Sequence, residues 1–557
     1  MVNKIVSEDY ADIMVQNRYI SITDGAIPLT SRISMINVPV SDINNCSFNE
    51  YGYQSFPFCY STESLLSLNA SRIPNVQKLP NLGLLGQGVM VAIIDTGIDY
   101  QHEAFINADN TSRIYSIWDQ TINEDESITT VNSTVLYGKE YTREDINAAL
   151  ASENPLEIVP TKDEIGHGTA IAGIVAGNEN IDNNFRGVVP QAELIVVKLK
   201  QAKNITKRMF AISESIECFQ ETDIIFAVNY VKNKAVLINR PIVICLALGT
   251  NQGSHDGRGV LSYYLSEISD ISGVCVVISA GNEGVGRRHF YDMLTSNVPF
   301  NELQVRVGKD EPGFAMELWK NSPSRIAVDI TSPTGEYIKP IYPSLNNCTE
   351  YKFIFVPTMV WVNNFLIESN TGDQLVLIRL YTPSEGLWKI RVYNLDNQTT
   401  DYHVWLPARG IITDDTYFIN SNPDTTITSP GNSYYPLTIT AYNQENNSIY
   451  YAASRGLTRN AVLKPELAAP GVDLVCPIAN NKYGTITGTG AAAAHAAGIA
   501  AMLLEWGIIK GNHATMDGFD VKSMLIRGAN KNPDDSINNI WGYGRIDAYG
   551  VFEALTY

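Results

Sequence analysis

Asp95 closes the apolar run GVMVAIIDTG (88–97), and Asn282 closes GVCVVISAGNEG (273–284). A carboxylate at such a place can orient a base, and an amide can donate to developing negative charge. An Asp at one strand end alone is more often a helix cap or a turn residue, but two polar ends on neighbouring runs make a candidate site. A third stretch, TGTGAAAAHAAGIAAML (487–503), reads as the start of a helix. Its first turn carries Gly490, which has no side chain to do chemistry.

These residues need a scaffold. The two runs, with AELIVVKL (192–199) and PIVICLALG (241–249), have the length and β-branched content of strands buried on both faces. A helical pattern, TDIIFAVNYVKNKA (222–235), lies between two of them. Strand and helix in alternation predict an α/β fold: a parallel sheet with helices on both faces, binding its ligand beyond the carboxyl ends of the strands. From about 308 to 410 the pattern turns to short alternating runs such as RIAVDITSPTG and DYHVWLPARG, the signature of a β-sandwich. The helix and Gly-loop pattern then resumes, so the sandwich is inserted into the α/β domain. The first 60 or so residues form a separate unit of short mixed elements.

Four stretches occur in order: VAIIDTGID with Asp95, DEIGHGTAIAGIVAG with His167, VVISAGNEG with Asn282 and ITGTGAAAAHAAG with Gly490. Together they resemble the subtilisin-like serine proteases, whose triad runs Asp, His, Ser along the chain. The flanks AASRGLTRNAVLKPELAAPGVDL (452–474) and WGYGRIDAYGVFEAL (541–555) are similar to that family too. The resemblance covers roughly 75–295 and 411–557. It implies that His167 is the base, that Asp95 fixes its tautomer, and that Asn282 donates to the oxyanion. It also implies that Leu246, Ala247, Leu248 and Gly249 line the substrate groove.

The family places serine where Gly490 stands. Glycine cannot attack a carbonyl, and what remains of such a site gives only ~10³–10⁴-fold over water. Thr489 is one residue out of register on the turn. Two further departures, Ala170 and Ala494, are compatible with activity, and Ala247 alters only a side chain in a strand that binds through its backbone.

The long gap between Asn282 and Gly490, the inserted jelly-roll and the run GAAAAHAAGIAAMLLEWGI resemble the Csp germination proteases of Clostridia. The glycine places the chain nearest that subfamily's pseudoproteases, the CspC-like type. The domains expected are an α+β prodomain (1–66), the subtilase domain (67–296 and 411–557) and the jelly-roll (297–410). Without a nucleophile the prodomain stays uncleaved, with its tail, around Cys59–Ser67, in the groove. The function implied is regulation of spore germination through contacts with other Csp-type germination proteins, with germinant sensing as an added role. One alternative is an active endopeptidase that processes a cortex-lytic enzyme precursor, Gly490 then being an engineered or rescued position. Another is ligand binding by the jelly-roll, using Trp319, Trp361, Trp388 and Trp405, although core packing accounts for such aromatics more simply.

The bulk properties narrow the field further. A net charge of −19 with no basic run argues against nucleic acid as a partner. Seven cysteines without a CxxC imply no disulfide framework and no zinc site, and Cys245 and Cys275 read as buried small hydrophobes. No cofactor is expected, since no carboxylate run matches a calcium loop. The N-terminus has no secretory signal pattern and no 18-residue apolar run occurs, so the expectation is a protein made inside the cell, without a transmembrane segment, and located in the spore cortex or coat region.

Overall fold

The four apolar runs are four parallel strands of one nine-stranded sheet. Met90–Asp95 lies between Glu193–Lys198 and Ile242–Leu246. Ile114–Asp119 follows on one side, and Val274–Ser279 then Leu437–Asn443 on the other. All six residues of Met90–Asp95 are buried, which is why the run reads as continuously apolar. Met90, Ala92 and Ile94 face one hydrophobic core, while Val91 and Ile93 face a second. The chain leaves Met90–Asp95 towards one edge and later builds the other, so a crevice opens above Asp95. In this computed structural model, residues 3–17, 25–62, 69–78, 81–122, 135–345, 348–531 and 536–555 are described.

The helices cover both faces. Glu221–Leu237 and Val260–Ile268 pack on one core, and His167–Ala176 and Thr489–Leu504 on the other. Every residue of Thr489–Leu504 is buried. Its alanines suit a helix that must touch neighbours on all sides, and a methyl on Gly498 would come within 2.4 Å of Val188 Cβ. Among the described residues this helix, with its extension to Ile509, is long and apolar enough to cross a membrane, and 83% of its apolar window is buried inside the protein. The sequence shows no unbroken apolar run of that length because His495 and Glu505 interrupt it.

The inserted unit is two antiparallel sheets, one of six strands and one of five. Its strands include His289–Leu294 and Tyr417–Phe418, which lie outside the 297–410 span read from the sequence. Trp319, Trp388 and Trp405 are fully buried and Trp361 is half-buried. Three of the four tryptophans are therefore core rather than an exposed sugar platform. Arg459 ties this unit to the α/β domain: its side chain is buried, pairs with Asp256 at 3.0 Å and Asp373 at 2.8 Å, and lies over Trp319.

The N-terminal unit is a three-stranded antiparallel sheet, Tyr10–Gln16, Ile33–Pro39 and Ile27–Pro28. Lys203 Nζ anchors it, donating to Asp12 Oδ1 at 2.9 Å and to the Lys4 and Tyr10 carbonyls. Gln220 Nε2 donates to Asp12 Oδ2 at 2.8 Å. Cys46 and Cys348 form a disulfide between this unit and the sandwich, with Cα atoms 5.3 Å apart. That corrects the expectation of no disulfide. The partners are 302 residues apart in sequence, so no spacing rule could pair them and only the fold does.

Candidate active site

Asp95 is the last residue of its strand and His167 the first of its helix. Asp95 Oδ1 accepts from His167 Nδ1 at 2.7 Å and from the Thr96 amide at 2.7 Å. Both side chains are buried. A carboxylate on Nδ1 places the remaining ring nitrogen of His167, the one a general base uses, on the opposite side of the ring.

The His167 helix has no cap of its own, because Gly166 stands at the N-cap in a left-handed conformation. Asp163 does that work. Its Oδ1 accepts from the Gly166 amide at 2.8 Å and from Thr96 Oγ1 at 2.7 Å. Its Oδ2 accepts from the Thr169 amide at 2.8 Å and Thr169 Oγ1 at 2.7 Å. Thr96 Oγ1 in turn accepts from the Gly168 amide. One buried carboxylate thus bolts the loop after Asp95 to the helix that begins at His167. Gly168 permits the approach: a methyl there would come 2.2 Å from the Gly97 carbonyl oxygen. The family motif points to neither Asp163 nor Thr96. An Asp three residues before an uncapped Gly-His helix start was the available signal.

Asp163→Ala is expected to leave several buried donors unpaired. The cost is about 3–5 kcal/mol of stability, read as a fall in the urea midpoint; Asp163→Asn, which keeps an acceptor, loses less.

Asn282 and Gly490 meet through Thr489. Asn282 Oδ1 accepts from the Thr489 amide at 3.1 Å. A backbone N–H can only donate, so the oxygen must face it, and Asn282 Nδ2 is turned away from that amide. Thr489 Oγ1 accepts from the Gly281 amide at 3.1 Å and is fully buried. Gly490 is the second residue of its helix, and Gly488 before it supplies no side-chain cap. Among the described residues no group of three or more His, Cys, Asp or Glu is placed to hold a metal.

The groove residues divide. Leu246 belongs to the central sheet, paired with Ile278, and Ala247 is buried in the second core. Leu248 and Gly249 form a short strand of their own. Antiparallel to it runs Cys59–Thr62 from the N-terminal unit, pairing Leu248 with Thr62 and Gly249 with Ser61. On its other side Cys59–Thr62 pairs with Phe219–Gln220. An extended segment is thereby held between two walls by backbone hydrogen bonds, the way a peptide adds a strand to a sheet. Residues 63–68, which take in most of the expected junction and the domain boundary at 66, lie outside the described residues.

A family model described as the subtilase family matches residues 86–304 and 412–544. The chain is a subtilase. Between the two matched segments sits most of the sandwich. This subtilase is similar to the solved structure of the Clostridium perfringens CspB protease, with a TM-score of 0.76 and 29% identity, covering 88% of this chain and 98% of that one. The Csp-type resemblance drawn from the sequence is therefore carried by the fold of nearly the whole chain. C5a peptidase of Streptococcus pyogenes serotype M18 is 23% identical over 450 residues, which are 75% of this chain but 35% of that protein. The subtilase thus spans about a third of the length of the C5a peptidases it matches. Major intracellular serine protease of Bacillus subtilis is 26% identical over 262 residues, 47% of this chain and 62% of that protein.

Proposed function

We propose that this subtilase is a pseudoprotease that regulates spore germination through protein contacts rather than by cutting peptide bonds. The observation that carries the reading is Gly490. The sequence aligns Gly488-Thr489-Gly490 with the family's nucleophile motif, and Gly490 falls in the first turn of a buried helix beside Asn282. The Cys59–Thr62 strand supports it as well. In this reading the N-terminal unit is an uncleaved prodomain whose tail fills the substrate groove. The partners are other germination proteins of the Csp type, and the place of action is the spore. Germinant sensing is an added role of the same molecule.

Two experiments test this. Purified full-length chain is expected to stay dark with a fluorophosphonate probe, which labels an activated serine; labelling would overturn the reading. In a spore former lacking the gene, the His167→Ala variant is expected to restore germination as well as the parent does. Failure of that variant alone, at equal protein level, would mean that catalysis is needed.

One observation favours the second reading, an active endopeptidase on a cortex-lytic enzyme precursor. The Asp95–His167 pair keeps its 2.7 Å hydrogen bond, which a site released from catalysis does not require. The probe decides between the two.

A further inference from the structure

Cys59 and Cys218 come from opposite sides of the groove. Cys59 opens the groove strand Cys59–Thr62, and Cys218 immediately precedes the wall strand Phe219–Gln220. In the antiparallel register Cys59 faces Gln220 and Tyr60 faces Phe219. Continued by one residue, that register puts Cys218 opposite Ser61. Cys59 then lies diagonally across from Cys218 on the same face of the sheet. The two thiols lie within reach of each other, near enough for each to shift the other's proton affinity. Both are free thiols, and both are buried.

Each cysteine is fixed by its own side of the junction. The Cys59 amide donates to Gln252 Oε1 at 2.7 Å. The Cys218 amide donates to Gln201 Oε1 at 3.1 Å, and its carbonyl accepts from the Ala202 amide at 2.8 Å. Neither cysteine therefore depends on the other for its place. A diagonal pair starts further apart than a directly opposite one, so bonding takes side-chain rotation together with a small shift of the groove strand, whose wall pairings are short. The pair is also polarised: the Cys59 thiol holds the Cys218 thiol below its ordinary range, with the Lys207 ammonium adding to the effect. The same proximity, with burial, pushes the Cys59 thiol up. Cys218 is thus the better nucleophile and Cys59 the proton donor.

We infer that Cys59 and Cys218 are a dithiol latch, which on oxidation forms a disulfide that staples the groove strand to the groove wall. The reaction needs a small disulfide as oxidant. The Cys218 thiolate attacks one sulfur of it, forming a mixed disulfide and expelling one thiolate. Cys59 then attacks Cys218 Sγ, forming the protein disulfide and expelling the second thiolate. The two protein protons end on the two released thiols, and the two electrons lost by the cysteines reduce the oxidant. Entry is through lifting of the groove strand, whose wall pairings are two residues long on each side. With Cys46–Cys348 already bonding the N-terminal unit to the sandwich, the latch would bond that unit to the α/β domain as well. The inference rests on the strand pairing alone and stands whether or not Gly490 abolishes catalysis.

The test treats folded full-length parent, Cys59→Ser and Cys218→Ala with 2-hydroxyethyl disulfide, then maps non-reduced digests by mass spectrometry. In the parent, a peptide linked through Cys59 and Cys218 is expected, with two thiols released per chain, and neither variant gives it. Hydrogen exchange at the Phe219, Gln220, Leu248 and Gly249 amides is expected to slow at least tenfold in the oxidised parent and to stay unchanged in the treated variants. The Cys46–Cys348 peptide, present in all three, reports that each variant has folded. A stable mixed disulfide at either cysteine without the link would overturn the proposal. So would two thiols that react only after urea is added, or a link that leaves exchange unchanged.

Discussion

Full-length chain carrying Gly490→Ser is expected to cut itself within Cys59–Ser67, leaving an N-terminal piece held only by the Cys46–Cys348 bond, while the parent stays whole. Several parts of such a site are built. The base is aligned, with His167 Nδ1 2.7 Å from Asp95 Oδ1, and Asp163 locks the two supporting elements together. Asn282 is oriented by the Thr489 amide, which leaves its Nδ2 to donate to an oxyanion. In the proposed reading the substrate is supplied by the chain itself, because Cys59–Thr62 is paired with a strand on each side and no diffusional encounter is required. Deleting the serine of subtilisin costs on the order of 10⁶-fold in kcat, so restoring one here should recover a gain of that order. Intact mass of the purified protein after reduction, which frees the N-terminal piece from Cys348, reads it. Adding His167→Ala to Gly490→Ser should return the chain to full length, which separates self-cutting from a contaminating protease. If Gly490→Ser remains whole, the loss of activity runs deeper than one hydroxyl and the Asp95–His167 pair is structural. A parent that processes itself would sink the pseudoprotease reading.

What the sequence discloses about this molecule is its short-range order. The run of apolar residues through 88–97 announces a strand buried on both faces, because alternate residues face two different cores and each must be apolar. Asp95, His167, Asn282 and Gly490 are legible because each sits in a motif whose neighbours also obey packing rules, such as Gly168 against Gly97. Asp163 is silent because its partners, Thr96 and Thr169, become neighbours only once strand and helix meet. The Cys46–Cys348 bond and the Cys59–Cys218 proximity are silent for the same reason. Leu246 and Leu248 are near neighbours in sequence, yet the chain changes sheets between them, which no local pattern announces. The buried Trp405 was legible as core, but the histidines that stack on it were not, since a lone His in an alternating run carries no sign of what lies across the sheet.

Those histidines give the second large effect. His289 and His403 lie opposite each other across two sandwich strands as diagonal neighbours, with His289 Nε2 2.9 Å from His403 Nδ1. One N–H serves that contact, so a second proton would set donor against donor. Burial first, and the His255 imidazole second, push His289 down to about 3; burial and His289 push His403 down to about 2. Arg459, itself paired with Asp256 and Asp373, adds its charge against His403. His255, stacked on Trp405 at 4.1 Å, is lowered to about 4 by burial; its two ring nitrogens face the Ile427 and Asn251 carbonyls, which offsets part of that burial.

The sign follows from which state binds protons. Below pH 6.5 the unfolded chain protonates histidines that the folded chain keeps neutral, so stability falls as the pH falls. At about 1.4 kcal/mol per unit for each group, His289 and His403 together withdraw on the order of 7 kcal/mol by pH 4. Two buried carboxyls run the other way. Burial raises Glu221 and Glu317 to about 7, so between pH 7 and their unfolded values the folded chain takes up protons that the unfolded chain does not, and stability rises as the pH falls. The carboxyls offset part of the loss, but His255 and the buried His495, which burial lowers to about 3, add to it, and the parent's stability is therefore expected to fall moderately between pH 7 and 4.5. Glu221→Gln with Glu317→Gln removes the offset. Glutamine can still accept from the Leu261 and Gly253 amides that these carboxyls bind. The double variant is expected to be at least as stable as the parent at pH 8 and to unfold far more readily below pH 5. Urea midpoints measured from pH 8 to 4 would show a steeper acid fall in the variant than in the parent. A variant profile that does not fall below pH 6.5 would mean that the histidines accept protons in the folded state and that their burial does not hold them neutral.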